Sequence, residues 1–178
     1  MKIKLLFITL LVVNTLLLKS QDYSLLAGSK AEGMAHTAVT LNDAFATFHN
    51  PSVLAWNEGN LFGISGRNHF QVPSMNSVYL AGAFSSFGGN TGFTVQYNGN
   101  STYNDSRFGV YYARPFGDIF APSLSFNVYS HYIQGYDLDL AFTGDIGLTA
   151  KANKLTMGFF WGNFTNSAWN SGYQEELP

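Results

Sequence analysis

The sequence contains no cysteine. That excludes disulfides, thiolate metal sites, a cysteine nucleophile and an acylated lipoprotein cysteine. Charge is also scarce. Lys, Arg, Asp and Glu make up 11% of the 178 residues, against about a quarter in an ordinary soluble domain. No Lys/Arg run or basic face occurs, so nucleic acid is not an expected partner. After the first twenty residues no long apolar run follows. A mature chain of this kind enters a membrane only as a β-barrel.

Recognisable chemistry is absent as well. No G-x-S-x-G, H-E-x-x-H or P-loop pattern occurs. His36, His49, His69 and His131 are not spaced as metal ligands. Two acid pairs, Asp137 with Asp139 and Glu175 with Glu176, fall in a loop and near the last residue, short of the ligand count of a calcium site. The sequence therefore predicts a protein that is not an enzyme, with no catalytic residues, cofactor or metal.

What is present is aromatic and small. There are 16 Phe, 10 Tyr and 18 Gly. A surface poor in charge needs a solvent other than water over part of its area. A barrel in lipid meets that need, with an apolar band outside and uncharged polar groups inside.

The N-terminus reads as an address. Met1-Lys2-Ile3-Lys4 is basic, Leu5 to Leu18 is apolar but for Thr9, Asn14 and Thr15, and Ser20 is a small residue at the expected cut. That is the layout of a secretory signal peptide over 1–20. The apolar stretch is too short to span a bilayer comfortably as a helix. Losing Lys2, Lys4 and Lys19 makes the net charge more negative than the −2 of the full chain.

The segment 21–58 carries helix and turn signals. Leu41, Phe45 and Phe48 share one helical face, with Asn42 and Asp43 as cap and first-turn acid. Pro51 opens a second turn with Asn50 as its cap. Gly28 and Gly33 bracket Ser29-Lys30-Ala31-Glu32, a place for tight backbone turns.

From Asn60 the period changes to two. Val78, Leu80, Gly82 and Phe84 alternate with Tyr79, Ala81, Ala83 and Ser85. The same alternation sets Phe93, Val95 and Tyr97; Phe108, Val110 and Tyr112; Leu124, Phe126 and Val128; Ile146, Leu148 and Ala150; and Leu155, Met157, Phe159 and Trp161 on one parity. With a strand near Leu61–Arg67 this predicts about seven strands of roughly eight to ten residues. Short turns at Gly88-Gly89-Asn90, Pro115–Asp118 and Ala152-Asn153 alternate with longer connections at Asn68–Asn76, Asn98–Ser106 and Gln134–Asp139, the expected asymmetry of an outer-membrane barrel. The second parity is Ser, Thr, Gly, Ala, Asn and Gln. A soluble sheet would carry Lys and Glu there, so a secreted soluble β-protein ranks below the barrel. Trp56, Trp161, Trp169 and the tyrosines suit either interfacial girdles or packing in the core or plug.

Gly28-Ser29-Lys30-Ala31-Glu32-Gly33-Met34-Ala35 resembles the G-[AS]-R-A-x-G-M-G opening of the PorV/PorQ-like outer-membrane proteins, relatives of FadL-type transporters. Asp43 falls at that family's acid, and Asn50-Pro51-Ser52-Val53-Leu54 resembles its N-P-A-G-L. Phe142-Thr143-Gly144-Asp145-Ile146-Gly147-Leu148 and Lys154-Leu155-Thr156-Met157-Gly158 resemble its F-x-x-D-x-G-L and K-L-x-x-G strands. Asn163 and Glu176-Leu177-Pro178 suit the stretch that follows. Lys30 for Arg, Ala35 for Gly and Ser52-Val53 for Ala-Gly mark a divergent member.

The resemblance marks Gly28, Gly33, Met34, Asp43, Asn50, Pro51, Asp145 and Gly147 as structural positions. It implies a bacterial outer-membrane location and an N-terminal plug over 21–58. Residues 59–178 then supply part of a barrel wall, as a truncated chain or, second, one closing with other copies. It implies passage of hydrophobic compounds, with outer-membrane lipid and a small hydrophobic ligand as partners. The alternative is a type IX secretion component or scaffold binding cargo and secretion-machinery proteins.

Overall fold

The computed structural model describes residues 27–35, 37–68, 71–72 and 75–169. The expected signal peptide, His36, His69 and Glu175-Glu176-Leu177-Pro178 lie outside the described residues. The described residues are all-β apart from three short helical turns. Seven strands run β1 (Leu61–Asn68), β2 (Asn76–Ser86), β3 (Gly89–Gly99), β4 (Tyr103–Ala113), β5 (Phe120–Ile133), β6 (Asp139–Ala152) and β7 (Leu155–Trp161). Each pairs antiparallel with the next, in the order β1-β2-β3-β4-β5-β6-β7. The sheet curls into a half-barrel. The two outermost strands, β1 and β7, run in the same direction.

Period-two patterning made these strands, and pairing register turned it into two faces. Ile64 pairs with Leu80, Leu80 with Val95, Val95 with Phe108, Phe108 with Val128 and Val128 with Phe142. Side chains directly opposite across a ladder lie on the same face. One apolar parity therefore continues across all the strands. It forms the convex face and is open to solvent: Ile64 is 72% exposed, Phe142 64% and Trp161 57%. The other parity forms the concave face. Every charged side chain within the seven strands lies there: Arg67, Asp105, Arg107, Asp139, Asp145 and Lys151.

The N-terminal turns occupy the concavity. Helix α1 spans Ser29–Gly33, α2 spans Ala46–His49 and a 3-10 turn, η1, spans Pro51–Trp56. η1 packs against β3, β4, β5 and β6, and α2 against β2 and β3. Two apolar clusters tie them to the sheet. Ala46, Leu54 and Ala55 meet Ala83, Tyr111, Ala113 and Ala121. Phe48 and Ala44 meet Tyr79 and Ala81. Small residues on the concave face let the helical backbone approach it. No described helix is long and apolar enough to cross a membrane.

Several local expectations change. The Leu41–Phe48 stripe is not one helix. Only Ala46–His49 is helical, and Leu41 packs instead with Ala31 and Ala38. Asp43 acts before the helix, accepting from the Phe45 N–H at 2.9 Å, a short side chain competing for backbone donors. Gly28–Glu32 is not a tight turn. Gly28 caps α1 and Ser29–Glu32 lie within it, and the left-handed residue after that helix is Ala35, at φ 51°, rather than Gly33.

Strand lengths and connections differ too. β5 and β6 reach 14 residues. The expected long connection after Asn98 is only 100–102, because Asn100 Oδ1 accepts from the Thr102 and Tyr103 N–H groups and closes the turn. The opposite rim holds the wider loop 114–119. The two ends are thus less unequal than the sequence predicts. We call the rim with 87–88, 114–119 and 153–154 the turn rim, and the other the loop rim. Of the tryptophans only Trp161 is on the convex face, and it stands opposite Ile146 in mid-sheet rather than at a rim. Trp56 reaches the Gly117 carbonyl, and Trp169 is buried with Tyr129 and Ala141.

Candidate functional site

A buried charge is costly unless it is paired. The concave face buries one such pair at its centre. Arg107 comes from β4 and Asp145 from β6, with β5 between them. Their side chains are 3% and 5% exposed, and Arg107 Nη2 lies 3.5 Å from Asp145 Oδ2. Asn127 on β5 bridges them. Its Oδ1 accepts from Arg107 Nε at 3.1 Å and Nη2 at 2.8 Å, and its Nδ2 donates to Asp145 Oδ2 at 2.7 Å and Thr143 Oγ1 at 3.2 Å. The second Asp145 oxygen accepts from the Asn163 N–H at 2.9 Å.

Two rings flank the guanidinium. Its carbon lies 5.6 Å from the Phe48 ring centre and 5.5 Å from that of Tyr129, within cation–π range. Phe48 itself meets Tyr79 edge-on, with centres 5.9 Å apart. The centre therefore joins the sheet to α2. It presents hydrogen-bond donors, acceptors and aromatic faces, a set suited to holding an arrangement or a small polar group.

A second cluster fixes the N-terminal turns to β6. Asn50 is fully buried. Its Nδ2 donates to the Val39 carbonyl at 2.9 Å, and to the Leu148 carbonyl and Thr149 Oγ1 at 3.3 Å each. Its Oδ1 accepts from Ser52 Oγ at 2.6 Å, and Ser52 and Thr149 hydroxyls lie 2.6 Å apart. Pro51 opens η1 as expected. The Asn50 side chain, however, makes no cap bond to that turn; it is spent on β6 instead. Gly147 is where Asn50 arrives, since a Cβ there would collide with Asn50 Oδ1 and Ser123 Oγ.

A third cluster sits toward the loop rim. His131 Nδ1 lies 2.5 Å from Asp105 Oδ1. The His131 ring meets Tyr103 edge-on at 5.2 Å and Trp169 at 5.8 Å. Asp139 is the cross-strand neighbour of His131. Asp137 stays exposed in the loop while Asp139 is buried, so that acid pair is separated. Among the described residues no group of three or more His, Asp or Glu is placed to hold a metal ion.

A cleft of about 560 Å³ opens beside β1, lined by Ser29, Lys30, Asp43, Phe45, Leu61 and Phe62 among others. Of the motif positions, Gly28 and Asp43 border this cleft. Gly28 adopts φ 90°, and a Cβ there would lie 2.7 Å from the Phe45 ring. Gly33 faces open space, and Met34 is 45% exposed. Asn50, Pro51 and Gly147 come together, and Asp145 stands two residues away on the same face.

Arg107, Asn127, Thr149, Asp105 and the His131 pairing were not foreseen. Alternation along β4 and β6 puts Arg107 and Asp145 on the parity opposite the apolar residues. Finding them paired required the register across β5. No protein-family model, curated protein or solved structure matches the chain.

Proposed function

We propose that this chain is an outer-membrane protein, its seven strands part of a β-barrel wall and its N-terminal turns the plug. The observation that carries the reading is the segregation of charge. All the strand-borne charges lie on the concave face, and the convex face is apolar and exposed. A soluble sheet has the opposite arrangement. On β5 the convex side from Phe120 to Val128 runs roughly 26 Å at about 3.3 Å per residue. That compares with the ~25 Å apolar band of a barrel, before tilt shortens it. The signal-peptide pattern of Met1–Ser20 supports export.

An all-antiparallel closed wall needs an even number of strands. Since β1 and β7 run in the same direction, an odd number of further strands would complete it. Within that wall we infer passage of hydrophobic compounds past the plug, in line with the resemblance to FadL-type proteins. The cleft beside β1 supports this, with Phe45, Leu61 and Phe62 in its lining and a volume in the range of small-molecule sites. A second reading, a secretion component or scaffold that binds cargo proteins, is favoured by exposed Phe87, Phe116 and Ile119 at the turn rim.

Fractionation tests the membrane reading. The protein should appear in outer-membrane extracts and migrate differently when heated. Recovery only in the soluble fraction would defeat it. Deletion separates the two roles: lost uptake of hydrophobic substrates supports passage, whereas lost secretion of cargo with unchanged uptake supports the second reading.

A further inference from the structure

The apolar rows of the convex face are not centred between the two rims. Toward the loop rim they stop inside the strands. There Asn68 pairs with Asn76, and Asn104 with Tyr132, on the convex parity. Asn68 Nδ2 donates to Asn76 Oδ1 at 2.6 Å, and Asn104 Nδ2 to the Asn100 carbonyl at 3.3 Å. Toward the turn rim the rows run to the strand ends, at Phe84 on β2, Phe120 on β5, Ala150 on β6 and Leu155 on β7. Only Ser86, Thr91 and Tyr112 interrupt them, and none is charged.

Strand length decides where a bilayer would sit on this face. At about 3.3 Å per residue and a tilt of roughly 40°, a strand gains about 2.5 Å of height per residue. An apolar band of ~25 Å then takes about ten residues. β2 has 11 residues and spends the first on Asn76; β4 has 11 and spends the second on Asn104. Nothing is left over at their turn ends. On β5 the same tilt lowers the stretch from Phe120 to Val128 to about 20 Å, so the band is completed by the loop 114–119. The side chains at the turn ends fit that place. Phe87 is 85% exposed, in a left-handed turn that favours Asn-Gly. Phe116 and Ile119 are exposed in the next loop. Beside them stand Arg114 and Lys154, both exposed, and Lys151, whose Nζ lies 4.0 Å from the Trp56 ring centre. Asp118 and Glu58 are the acids of this rim among the described residues.

We propose that the turn rim lies inside the headgroup layer of a phospholipid leaflet. Phe87, Phe116 and Ile119 reach the acyl boundary, and Arg114 and Lys154 bind anionic lipid phosphates. This depth rests on the reading of the sheet as a barrel wall. The asparagine row of β1, β2 and β4 then stands at the opposite headgroup level, and the loop rim clears the bilayer. Rings at the acyl boundary with cations beside them are what that layer favours, because arginine and lysine stems lie along apolar surface while their heads reach the phosphates. A protein partner on the same rim would need the turn tips clear of lipid, and strands of this length do not lift them.

Spin-label depth measurement tests this, since the chain has no cysteine of its own. Phe87→Cys, Phe116→Cys, Phe126→Cys and Ser101→Cys each carry one nitroxide in the full chain, in vesicles of phosphatidylethanolamine and phosphatidylglycerol. Collision with oxygen reports lipid, and collision with a water-soluble nickel chelate reports water. The label at 126 should be the deepest, those at 87 and 116 should still favour oxygen, and the one at 101 should favour nickel. Labels at 87 and 116 as open to nickel as that at 101, with 126 in lipid, overturn the rim placement; the wall then stands and the rim is free for a cargo protein. A label at 126 open to nickel defeats the wall, and the depth with it. Spin-labelled lipids test the cations. The unaltered chain should retain phosphatidylglycerol severalfold over phosphatidylcholine, and Arg114→Gln with Lys154→Gln should abolish the preference. An equal preference in both chains overturns phosphate binding by these two residues.

Discussion

Asn50 and Thr149 are 99 residues apart in sequence and hydrogen-bonded in the fold, carboxamide to hydroxyl, at 3.3 Å. With Ser52 they form a closed polar cluster between the N-terminal turns and β6. Replacing Asn50 by Leu removes its donors to Val39, Leu148 and Thr149, and strands those acceptors in a buried place. The expected loss is about 3 kcal/mol, read as a lower denaturant midpoint. An unchanged midpoint would mean that the turns are not held there.

Gly147 tests the same junction from the β6 side. Gly147→Ala puts a methyl group into Asn50 Oδ1 and Ser123 Oγ. Overpacking of this kind costs about 1–3 kcal/mol. In a double-mutant cycle with Asn50→Ala the two losses should fall short of additive, because the second change removes one of the two clashing atoms. Strict additivity would show the two sites to be independent.

Arg107 and Asp145 should behave as a pair. Arg107→Leu alone leaves a buried carboxylate without its cation, and a loss of about 3–5 kcal/mol is expected. Arg107→Leu with Asp145→Leu should lose less than the single change. Urea unfolding of the single and double variants in detergent decides the point; equal or greater loss in the double variant would contradict a paired charge.

Six described residues adopt left-handed backbone without being glycine, and Ala35 and Phe87 are two of them. Ala35 has φ 51°, and Phe87 has φ 54° in the two-residue turn that Gly88 completes at φ 71°. Such a turn prefers Asn-Gly. Ala35→Gly and Phe87→Asn should each stabilise the chain by about 1 kcal/mol. A fall in melting temperature for either would show that its side chain holds the segment in another way.

Phe126 stands mid-height on the convex face and is 57% exposed. If that face meets lipid, Phe126→Lys costs about 2–4 kcal/mol at the bilayer midplane, and the outer-membrane fraction should shrink sharply. On a soluble sheet the same change would raise solubility. The ratio of membrane to soluble protein separates the two.

The strands were the most legible part of the fold, because a two-residue period needs only neighbouring residues to be seen. β1 through β7 fall where alternation placed them, and the apolar parity named in each strand is the convex one. Loops were less legible. The 100–102 turn depends on Asn100 accepting from Thr102 and Tyr103, and an Asn-Ser-Thr run looks the same in a long loop. The helical stripe at Leu41, Phe45 and Phe48 misled because the concave face of the sheet, rather than periodicity, decides what each of those side chains covers.

The sequence by itself determined an all-β chain, an apolar parity free of charge, and an N-terminal segment of a different kind. These are local properties, written in composition and spacing. Only the tertiary structure decided that Arg107 meets Asp145 through Asn127, that Asn50 turns from its own helix to Leu148 and Thr149, and that Gly147 leaves room for it. Those contacts join residues on separate strands or far apart in the chain. They exist because register places one parity of every strand inside a curved wall, where a small residue admits a helix and a buried charge must find its partner.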